Sequence, residues 1–144
     1  MKKLSSRFSI AVHALCLIGI SPSLCTGDFI AASVKTNPVI IRNIIAKLKK
    51  AGLVDVRSGV GGAFLLKDLE HITLLDVYQA VEVIDNGELF NLHANPDPNC
   101  PIGQNIVTVL RSKIQEAQSA MERRLEQVSL SQLINGGNGT IEDL

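Results

Sequence analysis

The stretch Arg57-Ser58-Gly59-Val60-Gly61-Gly62 sets one guanidinium beside three glycines within four residues. Such a pairing lets a backbone come close to an anion. Glycine offers no Cβ to hold the anion off, and arginine supplies charge and a fork of donors. A nucleotide-phosphate loop uses it, and so does the tip of a wing laid on DNA. A plain hairpin needs the glycines alone. A Walker loop requires Gly-Lys followed by Ser or Thr, which this stretch lacks. A dinucleotide fingerprint must open a helix, whereas Ala63-Phe64-Leu65-Leu66 reads as a strand. With Leu53-Val54-Asp55-Val56-Arg57 before it, the stretch is expected to be a glycine-tipped hairpin.

Other reactive side chains are sparse. Cys16, Cys25 and Cys100 form no close metal-type pair, and an odd count argues against a disulfide framework. No pair of carboxylates, His-x-x-x-His run or nucleophile elbow is present, so neither an enzyme nor a metal site is expected. Cys100 precedes Pro101 at the start of an expected helix, where the dipole favours a thiolate. It is a candidate redox thiol; the alternative is that all three thiols only pack.

The elements that position the hairpin lie upstream. The chain has 144 residues, enough for one real core, and 46% of them are apolar. Zero net charge conceals an asymmetry. Residues 1–67 hold ten Lys or Arg against two acids, and residues 68–144 hold four against twelve. A basic half is suited to a polyanion. The N-terminal MKKLSSRFSIAVHALCLIGI resembles a secretory leader, but His13 interrupts it and Leu24 precedes Cys25 where a small residue is needed. Phe8, Val12, Leu15 and Ile18 recur at helical spacing with Ala11 beside them, and Ser5 or Ser6 is placed to cap. A first helix from about Ser5 to Ile20, a reducing cytoplasm and no membrane span are therefore expected.

Thr26 and Asp28 predict the start of a short second helix with Phe29, Ile30, Ala31 and Ala32 on its apolar face. Asn37 and Pro38 predict the cap and first residue of a third, with Ile41, Ile44, Ile45 and Leu48 buried and Gly52 ending it. Two short helices joined by a few residues make a helix-turn-helix, and the hairpin behind them is then a wing. The expected fold is mainly α: a winged helix-turn-helix with a two-stranded wing and a long C-terminal dimerisation helix. The candidate DNA contacts are Thr36, Asn37, Pro38, Val39, Arg42 and Lys47 on the third helix and its approach, and Arg57, Ser58, Gly59, Gly61 and Gly62 on the wing. Lys47, Lys49 and Lys50 have a plainer reading as a solvated face.

These residues carry a family resemblance from Lys3 to about Ile134. RFSIAVHALCLI, IAASV, NPVIIRNIIAKLKKAGLV and above all VRSGVGGAFLLKDLEHITLLDVYQAVE resemble the Rrf-type winged-helix regulators of iron–sulfur, nitric-oxide and cysteine metabolism. The chain is most similar to small regulators of that family from Gram-positive bacteria that share the Asn-Pro-Val opening. The family's wing reads Arg-Gly-x-x-Gly-Gly-aromatic-x-Leu; here Ser58 replaces a glycine and Ala63 the aromatic. The resemblance implies a homodimeric repressor on double-stranded DNA with a palindromic operator. Members often sense through a cluster held by three cysteines, but only Cys100 lies in the corresponding segment, so no cofactor is expected. In some relatives an oxidised cysteine pair spans the dimer, and Cys25 would be the partner of Cys100.

Further on, Thr73 is placed to cap a helix carrying Leu75, Val77, Tyr78, Ala80, Val81 and Ile84, with the lone Tyr78 expected at the edge of the core. An Asn-, Asp- and Pro-rich loop follows over 85–99. From about Pro101 to Val128, Val107, Ile114, Met121 and Val128 recur every seven residues, with Leu110 and Ala117 between them. That seam is expected to pair with another helix, a twin in a homodimer or the first helix of the same chain. The expected organisation is 1–84 for DNA binding, 85–134 for loop and dimerisation helix, and 135–144 for a flexible tail. The rival reading is a protein-interaction module, or a degenerate winged helix that no longer binds DNA.

Overall fold

The structure is a computed structural model that describes residues 6–21, 23, 25–58, 61–81, 92 and 97–135. The elements are α1 (Arg7–Ile20), α2 (Gly27–Val34), α3 (Pro38–Lys50), β1 (Val54–Val56), β2 (Ala63–Leu65), a 3-10 turn (Leu69–His71), α4 (Leu74–Val81), α5 (Gly103–Glu126) and α6 (Leu130–Asn135). The expected Ile84, most of the 85–99 loop and nearly all of the tail lie outside the described residues. Contacts divide the chain into two units, 1–82 with 125–144, and 83–124. Among the described residues no helix is long and apolar enough to cross a membrane.

The first unit is a mainly helical winged helix-turn-helix. α1 is its central post, packing against α2, α3, α4, α6 and β2. Its buried face is Ala11, Ala14, Leu15 and Ile18, whereas Phe8 and Val12 are only half-buried. The apolar stripe is thus turned from the expected one. Two alanines let neighbouring helices approach closely, which larger side chains at those positions would prevent. Ser6 stands at the N-cap, but its backbone is helical and its hydroxyl makes no capping bond.

α2 and α3 are both capped by side chains. Thr26 Oγ1 accepts the Phe29 N–H at 3.2 Å, and Asn37 Oδ1 accepts the Ile40 N–H at 3.0 Å. α2 buries Ile30 and Ala31 and leaves Phe29 and Ala32 exposed, so half of its expected apolar face looks outward. α3 buries Ile41, Ile44 and Leu48, with Ile45 half-buried. It stops in a Schellman turn: Gly52 (φ 81°) donates to the Lys49 carbonyl at 3.0 Å and Leu53 to that of Leu48 at 3.0 Å. That turn aims the chain directly into β1.

β1 and β2 pair antiparallel, Val54 opposite Leu65, Asp55 opposite Phe64 and Val56 opposite Ala63. Bonds from Leu66 N–H to the Leu53 carbonyl (2.9 Å) and from Arg57 N–H to the Gly62 carbonyl (3.0 Å) extend the ladder at both ends. Tyr78 is buried rather than at an edge, and its ring meets Phe8 edge to face with centroids 6.3 Å apart.

α4 opens with a reciprocal cap: Thr73 N–H donates to Asp76 Oδ2 at 3.0 Å, and Asp76 N–H to Thr73 Oγ1 at 3.1 Å. The same turn pairs with the segment after α5, through Leu74 N–H to the Val128 carbonyl and Leu130 N–H to the Ile72 carbonyl, each 2.9 Å. Thr73→Ala removes only the side-chain half of this junction. It is expected to lower the unfolding free energy by about 1 kcal/mol in denaturant titration. An unchanged midpoint and slope would show that the cap does not hold the helix.

Candidate nucleic-acid interface

The wing and the helix-turn-helix are fastened into one piece by a backbone bond. Ala63 N–H, at the root of β2, donates to the carbonyl of Cys25 just before α2, at 2.9 Å. Around it, the first turns of α2 and α3 and the wing enclose a groove of about 330 Å³, with Thr26, Asp28, Arg42, Val56, Gly61 and Gly62 among its lining. Of the expected contact residues, Pro38 and Arg42 of α3 and Gly61 and Gly62 of the wing line this one concavity.

At 3.6 residues per turn, the side of α3 opposite Ile41, Ile44 and Leu48 carries Val39, Arg42, Asn43 and Ala46. All four are exposed, Val39 to 57%. Asn37 spends its side-chain oxygen on the cap, and Pro38 starts the helix without needing a donor. Thr36 is half-buried, its N–H held by the Ala31 carbonyl at 3.0 Å. Lys47 stands apart from the wing-side groove, and its ammonium donates to the Val81 carbonyl at 3.5 Å. Lys49 lies 3.5 Å from Asp55 of β1, an exposed pair of little energetic consequence.

On the wing, Arg57 lies over the Phe64 ring, its guanidinium carbon 5.6 Å from the centroid. Phe64 therefore holds the arginine at the wing, a role the sequence pattern did not assign it. Gly61 and Gly62 take φ of 74° and 88°, and a Cβ on Gly62 would stand 3.4 Å from Arg57 Nη1. The glycines thus supply a left-handed turn and clear the space beside the guanidinium. Ser58 is exposed; Gly59 lies outside the described residues.

The cysteines are differently disposed. Cys25 is buried, its thiol donates to the Ser21 carbonyl at 3.2 Å, and burial pushes its pKa up, as it does for Cys16 within α1. That environment disfavours the Cys25 thiolate. What Cys25 gives the site is its backbone carbonyl, which no side-chain pattern reveals. Cys100 is half-buried, and its sulfur accepts the Gly103 N–H at 3.4 Å.

α5 lies mostly in the second unit. Of the expected seam, Val107, Ile114 and Met121 are half-buried, whereas Leu110 and Ala117 are exposed. Ile102, Ile106, Val109 and Leu110, at intervals of four, three and one, expose 71%, 40%, 52% and 37% of their surface.

Known proteins share these features. The profile of the Rrf2 family, described as iron-dependent transcriptional regulators, matches residues 4–136. YwnA of Bacillus subtilis (strain 168), provisionally named an HTH-type transcriptional regulator, is 42% identical over 132 residues, spanning 92% of this chain and 97% of that protein. A crystal structure provisionally described as that of a DNA-binding protein is 39% identical with a TM-score of 0.74, over 89% of this chain and 98% of that one. IscR of T. potens, 18% identical, has the same fold, with a TM-score of 0.67 over 99% of this chain and 97% of its own.

Among the described residues the donors do not gather into a site that fits the iron in that family description. Among the described residues the one grouping of three candidate ligand side chains is Asp68, Glu70 and His71, all exposed and none a thiol. Cys16 and Cys25 are single buried or half-buried thiols in α1 and the turn after it, so no thiolate-held centre is assembled there.

The wing geometry has a direct test. Gly62→Ala forces an L-residue into the left-handed region beside Arg57, at a cost of about 1–2 kcal/mol. Urea unfolding should report that loss, and an unchanged stability would mean that the wing tip adopts another backbone path.

Proposed function

The chain belongs to the Rrf2 family of transcriptional regulators, which are not enzymes, and from that premise we propose that it is a cytoplasmic, homodimeric repressor that binds a palindromic operator. The observation that supports this reading most is the shared groove, where the capped start of α3 and the glycine tip of the wing line one concave surface. In this reading α3 enters the major groove N-terminus first. Val39 and Arg42 then face base edges, and Thr36 and the cap region lie at the strand edge. Arg57 meets the sugar–phosphate chain beside it, steadied by Phe64, and Ser58, Gly61 and Gly62 let the backbone approach.

Dimerisation supplies the two-fold symmetry. The exposed Ile106, Val109 and Leu110 on α5 supply apolar surface for a twin helix, with Val107, Ile114, Ala117 and Met121 continuing the seam. Two reading heads held this way address half-sites about 34 Å apart, one turn of the duplex. Charge follows the same division, because the acidic second half of the sequence has no polyanion to meet.

Fragments selected from random duplex DNA by the purified protein should share a two-fold symmetric site. On that site Arg42→Ala should cost about 1–3 kcal/mol and relax the preference at one position per half. Arg57→Ala should weaken operator and unrelated duplex alike, and flatten the slope of log affinity against log salt by about one unit. A protein that selects no duplex and shows no salt-dependent binding would be a protein-interaction module instead.

Leu110→Lys changes an already exposed side chain, so it should leave the fold intact while placing an unpaired charge in the proposed seam. Sedimentation should then show a monomer with operator affinity largely lost. A variant that remains dimeric would move the interface off this face of α5.

A further inference from the structure

α3 has a groove on each side, and only the wing side belongs to the interface described so far. The second lies between the start of α1 and the opposite flank of α3, about 410 Å³ in volume. Its polar lining is Ser6, Arg7, Thr36, Asn43 and Lys47, over an apolar floor that includes Ile44. Two cations, two hydroxyls and a carboxamide line it, and no carboxylate does.

The two cations reach this groove from different helix ends. Arg7 is the first residue of α1, and that turn carries no acid. A cation there opposes the helix dipole. Ser6 occupies the N-cap position without using its hydroxyl as a cap. Lys47 is favoured by the dipole at the end of α3, but its head is also held by the Val81 carbonyl at 3.5 Å. That bond aligns its stem along the groove and leaves two ammonium protons for another acceptor.

The geometry points to a phosphate seat for the DNA strand opposite the wing, formed by Arg7 and Lys47 with Ser6, Thr36 and Asn43 around them. This inference rests on the reading that α3 enters the major groove. A helix with side chains is about 10–12 Å across and the major groove about 12 Å wide, so a seated helix has a phosphate wall on each side. Arg57 and the wing serve one wall. The groove beside α1 is continuous with the same helix, carries the complementary charge and serves the other. Phosphate contacts on both walls would fix the depth and roll of α3, which a single wall leaves free.

The test measures the salt dependence of binding to a mixed-sequence duplex and to the selected operator, for the wild type, Arg7→Gln, Lys47→Gln, Arg57→Gln and the α5 control Lys113→Gln. Arg7→Gln and Lys47→Gln should each reduce the log–log slope by about 0.9 on both duplexes. Arg7→Lys should restore most of it, and Lys113→Gln should leave it unchanged. Thermal melts check that Lys47→Gln, which also loses its bond to Val81, stays folded; Arg7→Gln carries the test if it does not. Neutral methylphosphonates placed one at a time in the operator give a second readout. One position should weaken the wild type and leave Arg7→Gln unaffected. If Arg57→Gln flattens the slope while Arg7→Gln and Lys47→Gln do not, the seat is refuted and the DNA reading stands. Losses confined to the operator would also refute it, because they would mean base reading. A wild type with no salt-dependent duplex binding overturns both.

Discussion

The bond from Ala63 N–H to the Cys25 carbonyl closes a ring of structure that begins at α2, runs through α3 and β1, and returns along β2. Both residues are buried, Ala63 to 4% exposure and Cys25 to 1%, so neither group can fall back on water when the bond opens. An unmade buried bond costs more than the roughly 1 kcal/mol that a typical one contributes. With the ring closed, the root of the wing cannot swing away from the start of α2. The Schellman turn at Gly52 fixes the other end, where α3 hands the chain to β1. Every residue placed at the interface stands on this ring or beside it.

What the sequence disclosed was what is decided locally. Thr26, Asn37 and Thr73 cap because their oxygens reach an N–H three residues on, within one turn. Gly52 and the wing glycines follow from the sign of φ, which a side chain would resist. Tertiary contacts decided the rest. α1 is apolar on nearly every side, so its periodicity did not fix which face goes inward, and packing chose Ala11 and Ala14 over Phe8 and Val12. α2 has only eight residues, too few to choose between Phe29 and Ile30. α6 and the bridge between Thr73 and Ser129 join segments more than fifty residues apart, with no local signature. At the candidate site, Arg57 and the glycines were legible by composition. Phe64 beneath the arginine and the carbonyl of Cys25 were not, because one is a cross-strand contact and the other a backbone atom.

The family's iron and this chain's thiols part company for a related reason. A cluster needs several thiolates brought to one point, and the fold uses two of the three cysteines as small apolar residues. The Cys25 thiol is bonded to Ser21 in the same turn whose carbonyl holds the wing. Burial and hydrogen bonding that stabilise the winged helix therefore also disfavour the thiolate of Cys25.

In the proposed dimer, two α3 helices can keep a fixed half-site separation only if α5 is joined stiffly to each head. The described junction lies just beyond α5, where residues 128–130 pair with residues 72–74 through two 2.9 Å backbone bonds and the bridge from Thr73 to Ser129. Ile72 and Leu130 are fully buried at its centre. Its other side is the capped start of α4, and α4 packs on α3 and holds Lys47 through Val81. Within the first unit, the segment just beyond α5, α4 and the flank of α3 are therefore one connected piece.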